Sequence, residues 1–310
     1  MMKRFAIAVH GGAGPDSDYI KENMDGYKQG IEEAVNAGYD VLEKGGSAID
    51  AVEAAVRSLE DNPLFNAGKG AALNEKAETE MCASIADGKK SKFGAVAIVK
   101  NVRNPISLAR AVMEKTNHIY LGGAGALDFA QQIKAPLEPD AYFITEHQYE
   151  SYAEKREKAA KDPQQAAKEQ VESRMHGTVG AVALDSQGNL AAATSTGGTE
   201  HNKQGRIGDS SMVGVGSYAN NNTCAVSSTG DGEYCIKHTA SFHIAAIMEY
   251  KGLSAPEACR FFMEEKYKDE KGDIGLIVLD KDGHVCLPFK ADRMHRGYRN
   301  SAGEMLVEIY

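Results

Sequence analysis

The sequence predicts an α/β protein in which stacked β-sheets are covered by helices. Short apolar runs bounded by glycine-containing turns occur in both halves of the chain, and two groups of segments carry apolar residues at helical spacing. A sheet with an apolar face must be covered by another layer, which favours helices packed on sheets. With 310 residues, of which 42% are hydrophobic, the chain can bury a substantial core.

The first half of the chain alternates between strands and helices. The pattern predicts a strand at 5–9, helices at 27–44 and 47–61, a strand at 93–100, and helices at 106–115 and 125–132. Two glycines after Lys44 end the first helix, and Ser47 with Asp50 resembles a capping box that begins the second. The glycine-rich residues 11–15 are expected to end the first strand in a loop where backbone passes close to another group.

The second half begins with a segment of different composition. Glu, Lys, Gln and Ala dominate residues 150–176, Pro163 interrupts them, and hardly any aliphatic residue occurs before Val171. Such a segment cannot bury a useful core, and we expect a mobile or loosely helical linker. Beyond it the pattern predicts helices at 233–250 and 254–266 and strands at 274–280 and 284–289.

A hairpin directly follows this linker. Apolar runs at 179–184 and 190–193 flank the sequence Asp-Ser-Gln-Gly-Asn, and a glycine within such a short polar break is typical of a hairpin. If residues 186–188 form a three-residue loop, Thr178 lies opposite Thr196. Because side chains alternate across a strand, the two threonine hydroxyls then share one face of the hairpin.

The position of Thr178 allows two interpretations. A threonine can act as a nucleophile when its own α-amino group, with a reference pKa of about 7.7 to 8.0, accepts the hydroxyl proton. That amine is free only if the chain is cleaved between Gly177 and Thr178. The alternative is a surface hairpin whose threonines are present for their β-propensity.

Longer motifs occur in this hairpin and elsewhere in the chain. They are Val9-His-Gly-Gly-Ala-Gly14, Asn62-Pro-Leu-Phe-Asn66-Ala-Gly-Lys-Gly70, His176-Gly-Thr178-Val-Gly-Ala-Val-Ala-Leu-Asp185, Ala193-Thr-Ser-Thr196-Gly-Gly, Gly205-Arg206-Ile-Gly-Asp209-Ser210 and Ser227-Ser-Thr229-Gly230-Asp-Gly232-Glu. Together they resemble the plant-type asparaginase and isoaspartyl peptidase family, which belongs to the N-terminal nucleophile hydrolases. The resemblance extends from the first strand to about residue 290. It implies a four-layer αββα sandwich formed by a single domain over residues 1–310.

The resemblance also implies that the chain cleaves itself between Gly177 and Thr178. The products are an α subunit, residues 1–177 with the flexible linker 150–177 at its end, and a β subunit, residues 178–310. Thr178 then hydrolyses L-asparagine and isoaspartyl dipeptides and releases L-aspartate. A dimer of cleaved αβ heterodimers is implied on the same grounds.

The catalytic residues of the family fall on matching positions of this sequence. By resemblance, Thr196 orients the nucleophile, and the amide of Asn66 lies near it. The hydroxyl of Thr229 and the backbone amide of Gly230 are expected to bind the oxyanion that develops during attack. Loss of one such donor usually costs two to three orders of magnitude in rate.

An aspartyl substrate carries both an α-carboxylate and an α-ammonium group, so its site needs a cation and an anion. Arg206 can bind the carboxylate through two parallel hydrogen bonds, and Asp209 can accept from the ammonium group. The carbonyl of Gly232 offers a second acceptor. Thr229 and Gly230 complete the substrate-binding residues that the resemblance implies.

The loop after the second predicted helix leaves two interpretations open. In the family it wraps a structural sodium ion with main-chain carbonyls, and oxygen ligands suit such a hard cation. The matching positions are Leu59, Glu60, Asn62, Phe65, Ala67 and Lys69. The alternative is an ordinary loop at the end of a helix.

Cys82 is a departure from the family pattern, which has an aspartate at this position. If that aspartate supports the site, activity or folding is reduced in this chain. If the position is peripheral, Cys82 serves as a small buried hydrophobic residue.

Composition excludes several classes of partner and cofactor. A net charge of −9 without a dense basic stripe argues against a nucleic-acid partner. The sequence contains no run of 18 apolar residues, which argues against a membrane span. Five cysteines, odd in number and widely spaced, fit a reducing cytoplasm. The glycine motifs at 11–14 and 123–128 lack the third glycine of a nucleotide-binding turn, and the nine histidines show no zinc-protease spacing. We therefore expect a small-molecule substrate and neither a catalytic metal nor an organic cofactor.

The sequence is also compatible with two alternative functions. One is a hydrolase of the same class that cuts the glycosyl-asparagine linkage, although Gly177 stands where those enzymes have aspartate. The other is an uncleaved, non-catalytic relative that acts as a binding protein.

Overall fold

The β-strands form two sheets within residues 4–161 and 177–310, the part of the chain that this computed structural model describes. In chain order the strands are β1 (Ala6–Gly14), β2 (Met81–Asp87), β3 (Lys92–Val99), β4 (Tyr120–Gly122), β5 (Val179–Leu184), β6 (Leu190–Thr196), β7 (Ser217–Ala219), β8 (Cys224–Gly230), β9 (Ile274–Asp280), β10 (Val285–Cys286), β11 (Phe289–Lys290), β12 (Arg293–Asn300) and β13 (Met305–Glu308). The first sheet has the order β13-β12-β1-β5-β6-β2-β3-β4, and the second has the order β10-β9-β8-β7 with β11 also paired to β9.

The helices fall into two groups along the described chain. The first group is α1 (Asp18–Glu22), α2 (Met24–Glu43), α3 (Ala48–Glu60), α4 (Pro105–Lys115), α5 (Gly123–Gln132), α6 (Asp140–Phe143) and α7 (Glu146–Lys161). The second is α8 (Gly232–His238), α9 (Ala240–Lys251) and α10 (Ala255–Phe261), which continues as a π-helical turn over Phe262–Lys266. As predicted, the Ser47 hydroxyl caps α3 by accepting from the Asp50 backbone amide.

Three apolar cores hold these layers together. One lies between the first sheet and α2 to α5, and a second lies between the two sheets, where Val182 and Ala192 meet Ala225 and Ile277. The third lies between the second sheet and α8 to α10. The order is helices, sheet, sheet, helices, so the predicted four-layer αββα sandwich is confirmed.

The hairpin of β5 and β6 has the predicted register. Val179 pairs with Ser195 and Leu184 with Leu190, which places Thr178 opposite Thr196. The Asp185 amide donates to the Asn189 carbonyl at 2.9 Å and closes the three-residue loop.

Three element boundaries were wrong. The glycine-rich residues after His10 do not form a loop: β1 continues to Gly14 because β12 pairs with it throughout, with an irregularity at Gly12. The helix predicted at 233–250 is broken at Thr239, which adopts a left-handed conformation with φ 48°. The strand predicted at 284–289 is divided into β10 and β11.

The predicted linker is described only in part. Its residues 150–161 belong to helix α7, where Tyr152 is buried and the Ser151 hydroxyl donates to Glu200 at 2.8 Å. Residues 162–176 of the predicted linker lie outside the described residues. Among the described residues, no helix combines the length and apolar character that crossing a membrane requires.

Candidate active site

Thr178 precedes β5 directly and is buried, with 5% of its surface exposed. Its hydroxyl donates to the Thr196 hydroxyl, with 3.3 Å between the two oxygens. The Thr196 hydroxyl in turn donates to the carbonyl of Gly177 at 3.3 Å and accepts from the Gly198 amide at 3.1 Å. The Thr196 hydroxyl therefore contacts both the Thr178 hydroxyl, the candidate nucleophile, and the Gly177 carbonyl that Thr178 would attack.

Asn66 supports this arrangement from the other side. Its side-chain amide donates to the Gly198 carbonyl at 2.7 Å, and its side-chain oxygen accepts from the Ala72 amide at 2.7 Å. A Cβ atom on Gly177 would lie 3.0 Å from the Asn66 Cβ, so the backbone of Gly177 packs directly against this side chain. Asn66 thus fixes the residue before Thr178 and the turn that follows Thr196.

A buried chain of hydrogen bonds fixes the carbonyl of Thr178. His10 Nδ1 lies 2.8 Å from that carbonyl, which can only accept, so Nδ1 carries the proton. Burial lowers the pKa of His10 to about 3, so the ring is neutral and its Nε2 accepts from the Ser227 hydroxyl at 2.8 Å. Ser227 Oγ also lies 2.7 Å from Thr194 Oγ1. His10 acts as a positioning residue rather than as an acid or base.

We expect His10→Ala to slow self-cleavage by about tenfold or more, because the Thr178 carbonyl loses a buried hydrogen bond. The measurement is the rate at which two fragments appear on a denaturing gel. His284→Ala is the matched control, since His284 is exposed and its side chain contacts Asp280 in the turn before β10. Cleavage of His10→Ala at the rate of the control would contradict the positioning role.

Thr229 and Gly230 end β8 on the side of the second sheet that faces the first. The Thr229 hydroxyl oxygen accepts from the Ala13 amide at 3.2 Å, which leaves its proton available to another acceptor. Gly230 has φ 116°, and a Cβ at this position would lie 2.4 Å from the Asp273 carbonyl oxygen. Only glycine therefore fits at this end of the strand.

Arg206, Asp209 and Gly232 form one cluster. A Cβ on Gly232 would lie 2.9 Å from both Arg206 Nη2 and Asp209 Oδ1, so the absence of a side chain leaves space between the two charges. The Arg206 guanidinium binds Glu233 with two hydrogen bonds of 3.0 Å, from Nε and from Nη2. Two parallel bonds to a carboxylate are the arrangement expected for substrate recognition, here made to a residue of the same chain.

The buried carboxylate of Asp209 accepts from the Ser228 hydroxyl at 3.0 Å. Burial raises the pKa of Asp209 above its ordinary value, although the Ser228 hydroxyl and the Arg206 charge act in the opposite direction. Desolvation is only partly compensated, so this carboxylate gains from a cation placed beside it.

Cys82 lies next to the site rather than at its periphery. It pairs with Thr196 across β2 and β6, and it is buried. Burial raises the pKa of its thiol, so this side chain stays neutral beside Thr196. All five cysteines lie in the described residues and are free thiols.

The loop after α3 brings several carbonyls together. The Lys69 amide donates to the Glu60 carbonyl at 2.7 Å and closes the loop. Gly70 has φ 106°, and a Cβ at this position would lie 2.5 Å from the Pro63 oxygen and 2.9 Å from the Phe65 oxygen. Of the predicted carbonyl ligands, those of Glu60, Asn62 and Phe65 accept hydrogen bonds from the backbone amides of Lys69, Phe65 and Ala67.

The predicted site residues therefore form two groups, at the same end of the two facing sheets. Ser227 of β8 faces Gly180 of β5, where a Cβ would lie 2.1 Å from the serine oxygen. Thr178 and Thr229 lie two residues beyond this contact, on the same faces of their strands. The sequence motifs contain His10 and Glu233, but their contacts with Thr178 and Arg206 join distant segments and leave no local pattern.

Comparison with known proteins agrees with this geometry. The fold is of the N-terminal nucleophile hydrolase type, with a threonine directly before β5. The family model described as Asparaginase matches residues 3–309, and the chain belongs to this family.

Three relatives illustrate the similarity. The isoaspartyl peptidase of Salmonella typhimurium is 43% identical over 312 residues, covering 100% of this chain and 99% of the relative. The probable isoaspartyl peptidase/L-asparaginase 2 of Arabidopsis thaliana is 40% identical over the full length of both chains. The isoaspartyl peptidase/L-asparaginase of Macaca fascicularis is 45% identical, covering 89% of this chain and 87% of the relative.

Proposed function

We propose that this protein cleaves itself between Gly177 and Thr178 and then hydrolyses isoaspartyl dipeptides and L-asparagine to L-aspartate. The observation that carries the proposal is the Thr196 hydroxyl, which contacts both the Thr178 hydroxyl and the Gly177 carbonyl at 3.3 Å. The names of the full-length relatives support the choice of substrates.

Self-cleavage is an acyl shift followed by hydrolysis. The Thr178 hydroxyl oxygen attacks the Gly177 carbonyl carbon, the peptide C–N bond breaks, and the hydroxyl proton is transferred to the departing nitrogen. The resulting ester is opened by water, which leaves a carboxylate on Gly177 and a free amine on Thr178. The amine then serves as the base that accepts the hydroxyl proton in each catalytic cycle.

Substrate hydrolysis repeats this chemistry on the side-chain carbonyl of an aspartyl group. Thr178 attacks the carbonyl carbon, and the Thr229 hydroxyl with the Gly230 amide stabilises the oxyanion. The protonated amine of Thr178 gives its proton to the leaving nitrogen. Water then opens the acyl-enzyme and releases aspartate.

The substrate's charged groups determine how it is held. Arg206 exchanges Glu233 for the α-carboxylate of the aspartyl group, and Asp209 accepts from its α-ammonium group. Gly232 leaves room between the two, and its carbonyl is the second acceptor. The cluster binds both charged groups of an aspartyl substrate, which supports a small-molecule substrate.

The pKa of Asp209 leads to a pH prediction. Burial raises this pKa, and protonation removes the negative charge that accepts from the ammonium group. As pH falls through the raised pKa, binding of L-aspartate, measured as its inhibition constant, should weaken at a higher pH than an ordinary aspartate would give. Asp209→Asn should lower kcat/KM for an isoaspartyl dipeptide by about 100-fold and remove this pH dependence of the inhibition constant. Asp282→Asn, in the exposed turn after β9, is the control, and the same weakening of L-aspartate binding at acid pH in Asp209→Asn would contradict the role of Asp209.

The whole proposal is tested on one purified sample. Denaturing electrophoresis should show two fragments, with the sequence of the smaller beginning at Thr178. Asparagine, an isoaspartyl dipeptide and a glycosyl-asparagine are then assayed side by side. Faster turnover of the glycosylated substrate would replace our substrate assignment, and one intact band without turnover would indicate a binding protein.

Three further features belong to the proposal. A sodium ion bound by the carbonyls of the loop after α3 is supported by the family resemblance. Oligomerisation as a dimer of cleaved αβ heterodimers, with a single domain divided at Gly177, is supported by the family resemblance. A cytoplasmic location is supported by the five free thiols.

A further inference from the structure

A cavity of about 50 Å³ lies beside Gly177 and is separate from the Arg206 and Asp209 cluster. Its lining includes Gly11, Asn66 and Gly177, the residue before the candidate nucleophile. Gln148, Arg293 and His295 also line it. This volume accommodates a small polar group or one or two water molecules.

Polar atoms without a partner converge on this cavity. Arg293 is 3% exposed and His295 is 2% exposed, yet Arg293 Nε, Arg293 Nη1 and His295 Nε2 lack hydrogen bonds within the described residues. The side-chain oxygen of Gln148 is buried and unpaired in the same way. An unpaired buried guanidinium is costly, and native proteins retain one where a ligand completes it.

The fold directs these side chains to one place. Strand β12 pairs Arg293 with Gly14 and His295 with Gly12, so both lie on the same face of the first sheet. Met294, between them, faces the other sheet and packs in the core that the sheets share. The Tyr27 ring stacks on His295 with 4.4 Å between the ring centres and holds it against the cavity.

Two acidic side chains around the cavity are bound by other residues. Glu200 lines the cavity, and its carboxylate is bound by the Ser151 hydroxyl and by Lys155. Asp16 influences the pKa of Arg293, but its own carboxylate binds Lys21 at 3.3 Å and the Tyr310 hydroxyl at 3.1 Å. The group that would pair with Arg293 is therefore a bound ligand rather than one of these acidic side chains.

The donors and acceptors define the chemistry of that ligand. Arg293 carries a fixed positive charge and two unpaired N–H groups, on Nε and Nη1, which suit the oxygens of a carboxylate ligand. Burial lowers the pKa of His295 to about 3, and its Nδ1 lies 3.4 Å from the Gly11 carbonyl, so Nε2 is left as an acceptor. The free oxygen of Gln148 is a second acceptor, since the amide nitrogen donates to the Gly70 carbonyl. A carboxylate carried next to an N–H group satisfies all three side chains.

The position of the cavity indicates which step of the reaction places a carboxylate and an N–H group beside it. The leaving nitrogen must lie close to the Thr178 nitrogen, which protonates it. Before cleavage the Thr178 nitrogen is bonded to Gly177, which lines the cavity. The residue released from an isoaspartyl dipeptide therefore leaves on this side, with its carboxylate two bonds from the leaving nitrogen.

We propose that the cavity lined by Gln148, Arg293 and His295 is a carboxylate site that binds the residue released from an isoaspartyl dipeptide. The inference rests on the proposed function and adds a physical reason for a preference for isoaspartyl dipeptides over asparagine. Asparagine releases ammonia, which carries no carboxylate, so this site contributes to dipeptides alone. The carboxylate that self-cleavage creates on Gly177 has the same chemistry and is the other possible occupant.

The first experiment compares kcat/KM for β-aspartylglycine, its C-terminal amide and asparagine. We expect the wild type to favour the free acid over the amide by at least about tenfold, the value of one charge-assisted hydrogen bond. Arg293→Met should reduce the ratio of kcat/KM for β-aspartylglycine over asparagine by about 10- to 100-fold, mainly through KM. Arg299→Met is the matched control, because Arg299 lies on the same strand but contacts Asn36 and the ring of Tyr39.

The second experiment distinguishes the two sources of the carboxylate. Arg293→Met is introduced into the cleaved protein and into the uncleaved Thr178→Ala chain, and both melting temperatures are measured. If the substrate ratio is unchanged but only the cleaved protein loses stability, the occupant is the new carboxylate of Gly177. If the ratio is unchanged and both forms respond equally, the carboxylate site is refuted.

A second variant covers misfolding of Arg293→Met, and the melting temperatures cover an inactive wild type. Arg293→Lys retains the charge but not the guanidinium N–H groups, and it replaces Arg293→Met in both experiments if that variant does not fold. If the wild type hydrolyses none of the three substrates, the proposed function fails, and the melting experiment still tests the site.

Discussion

Thr178→Ala is expected to accumulate as a single uncut chain of 310 residues and to lose hydrolysis of every substrate by about 10⁴-fold or more. The substitution removes the hydroxyl that attacks the Gly177 carbonyl, so the ester never forms. It also keeps the nitrogen of residue 178 in a peptide bond, where it cannot act as a base. One change thus removes both the nucleophile and the amine that activates it.

Three measurements check this result. Denaturing electrophoresis and intact mass report cleavage, release of ammonia and aspartate reports activity, and circular dichroism shows that the variant is folded. Thr178→Ser is the conservative control, because it keeps a hydroxyl at the same position and should still produce fragments. Normal fragments from Thr178→Ala would place the cut, and therefore the nucleophile, elsewhere.

Arg206→Ala should have the second largest effect, a decrease in kcat/KM of about 100- to 1000-fold for isoaspartyl dipeptides, expressed mainly in KM. The guanidinium is the cation of the substrate cluster, and losing a two-point bond to a carboxylate leaves that charge unpaired. Arg206→Lys should recover part of the loss, since an ammonium group supplies the charge without the fork.

Two further variants separate substrate binding from general effects of charge. Arg260→Ala removes an exposed arginine from α10 and should leave the kinetics unchanged. Glu233→Gln should shift KM in the opposite direction to Arg206→Ala, because it weakens the bond that the substrate must displace. Unchanged KM in Arg206→Ala would mean that the substrate carboxylate binds at another residue.

Local chemistry made part of this fold predictable. The loop of the hairpin at 186–188 set the register of β5 and β6, and counting from it placed Thr178 opposite Thr196. Ser47 marked the start of α3 because a capping hydroxyl and the backbone amide that donates to it are close in sequence. These features depend on neighbours within about five residues.

Other features depend on which distant segments become neighbours. The extent of β1 was underestimated because its partner β12 lies almost 300 residues away in the sequence and carried no prediction. The same pairing brings Arg293 and His295 to the cavity beside Gly177, and no motif contains either residue. Glu233 lies within a motif, but its bond with Arg206 depends on the packing of α8 against the segment between β6 and β7.

The bond between Arg206 and Glu233 has a consequence for selectivity. Glu233 is largely exposed, whereas Arg206 is mostly enclosed, so the glutamate can swing into solvent while the arginine stays in place. Under the proposed function, Glu233 competes with the α-carboxylate of the substrate for Arg206. A small acid that offers only a carboxylate gains little by replacing Glu233, whereas a zwitterion also gains the contact with Asp209. The proposed site would therefore favour zwitterions over simple organic acids through competition from a residue of the same chain.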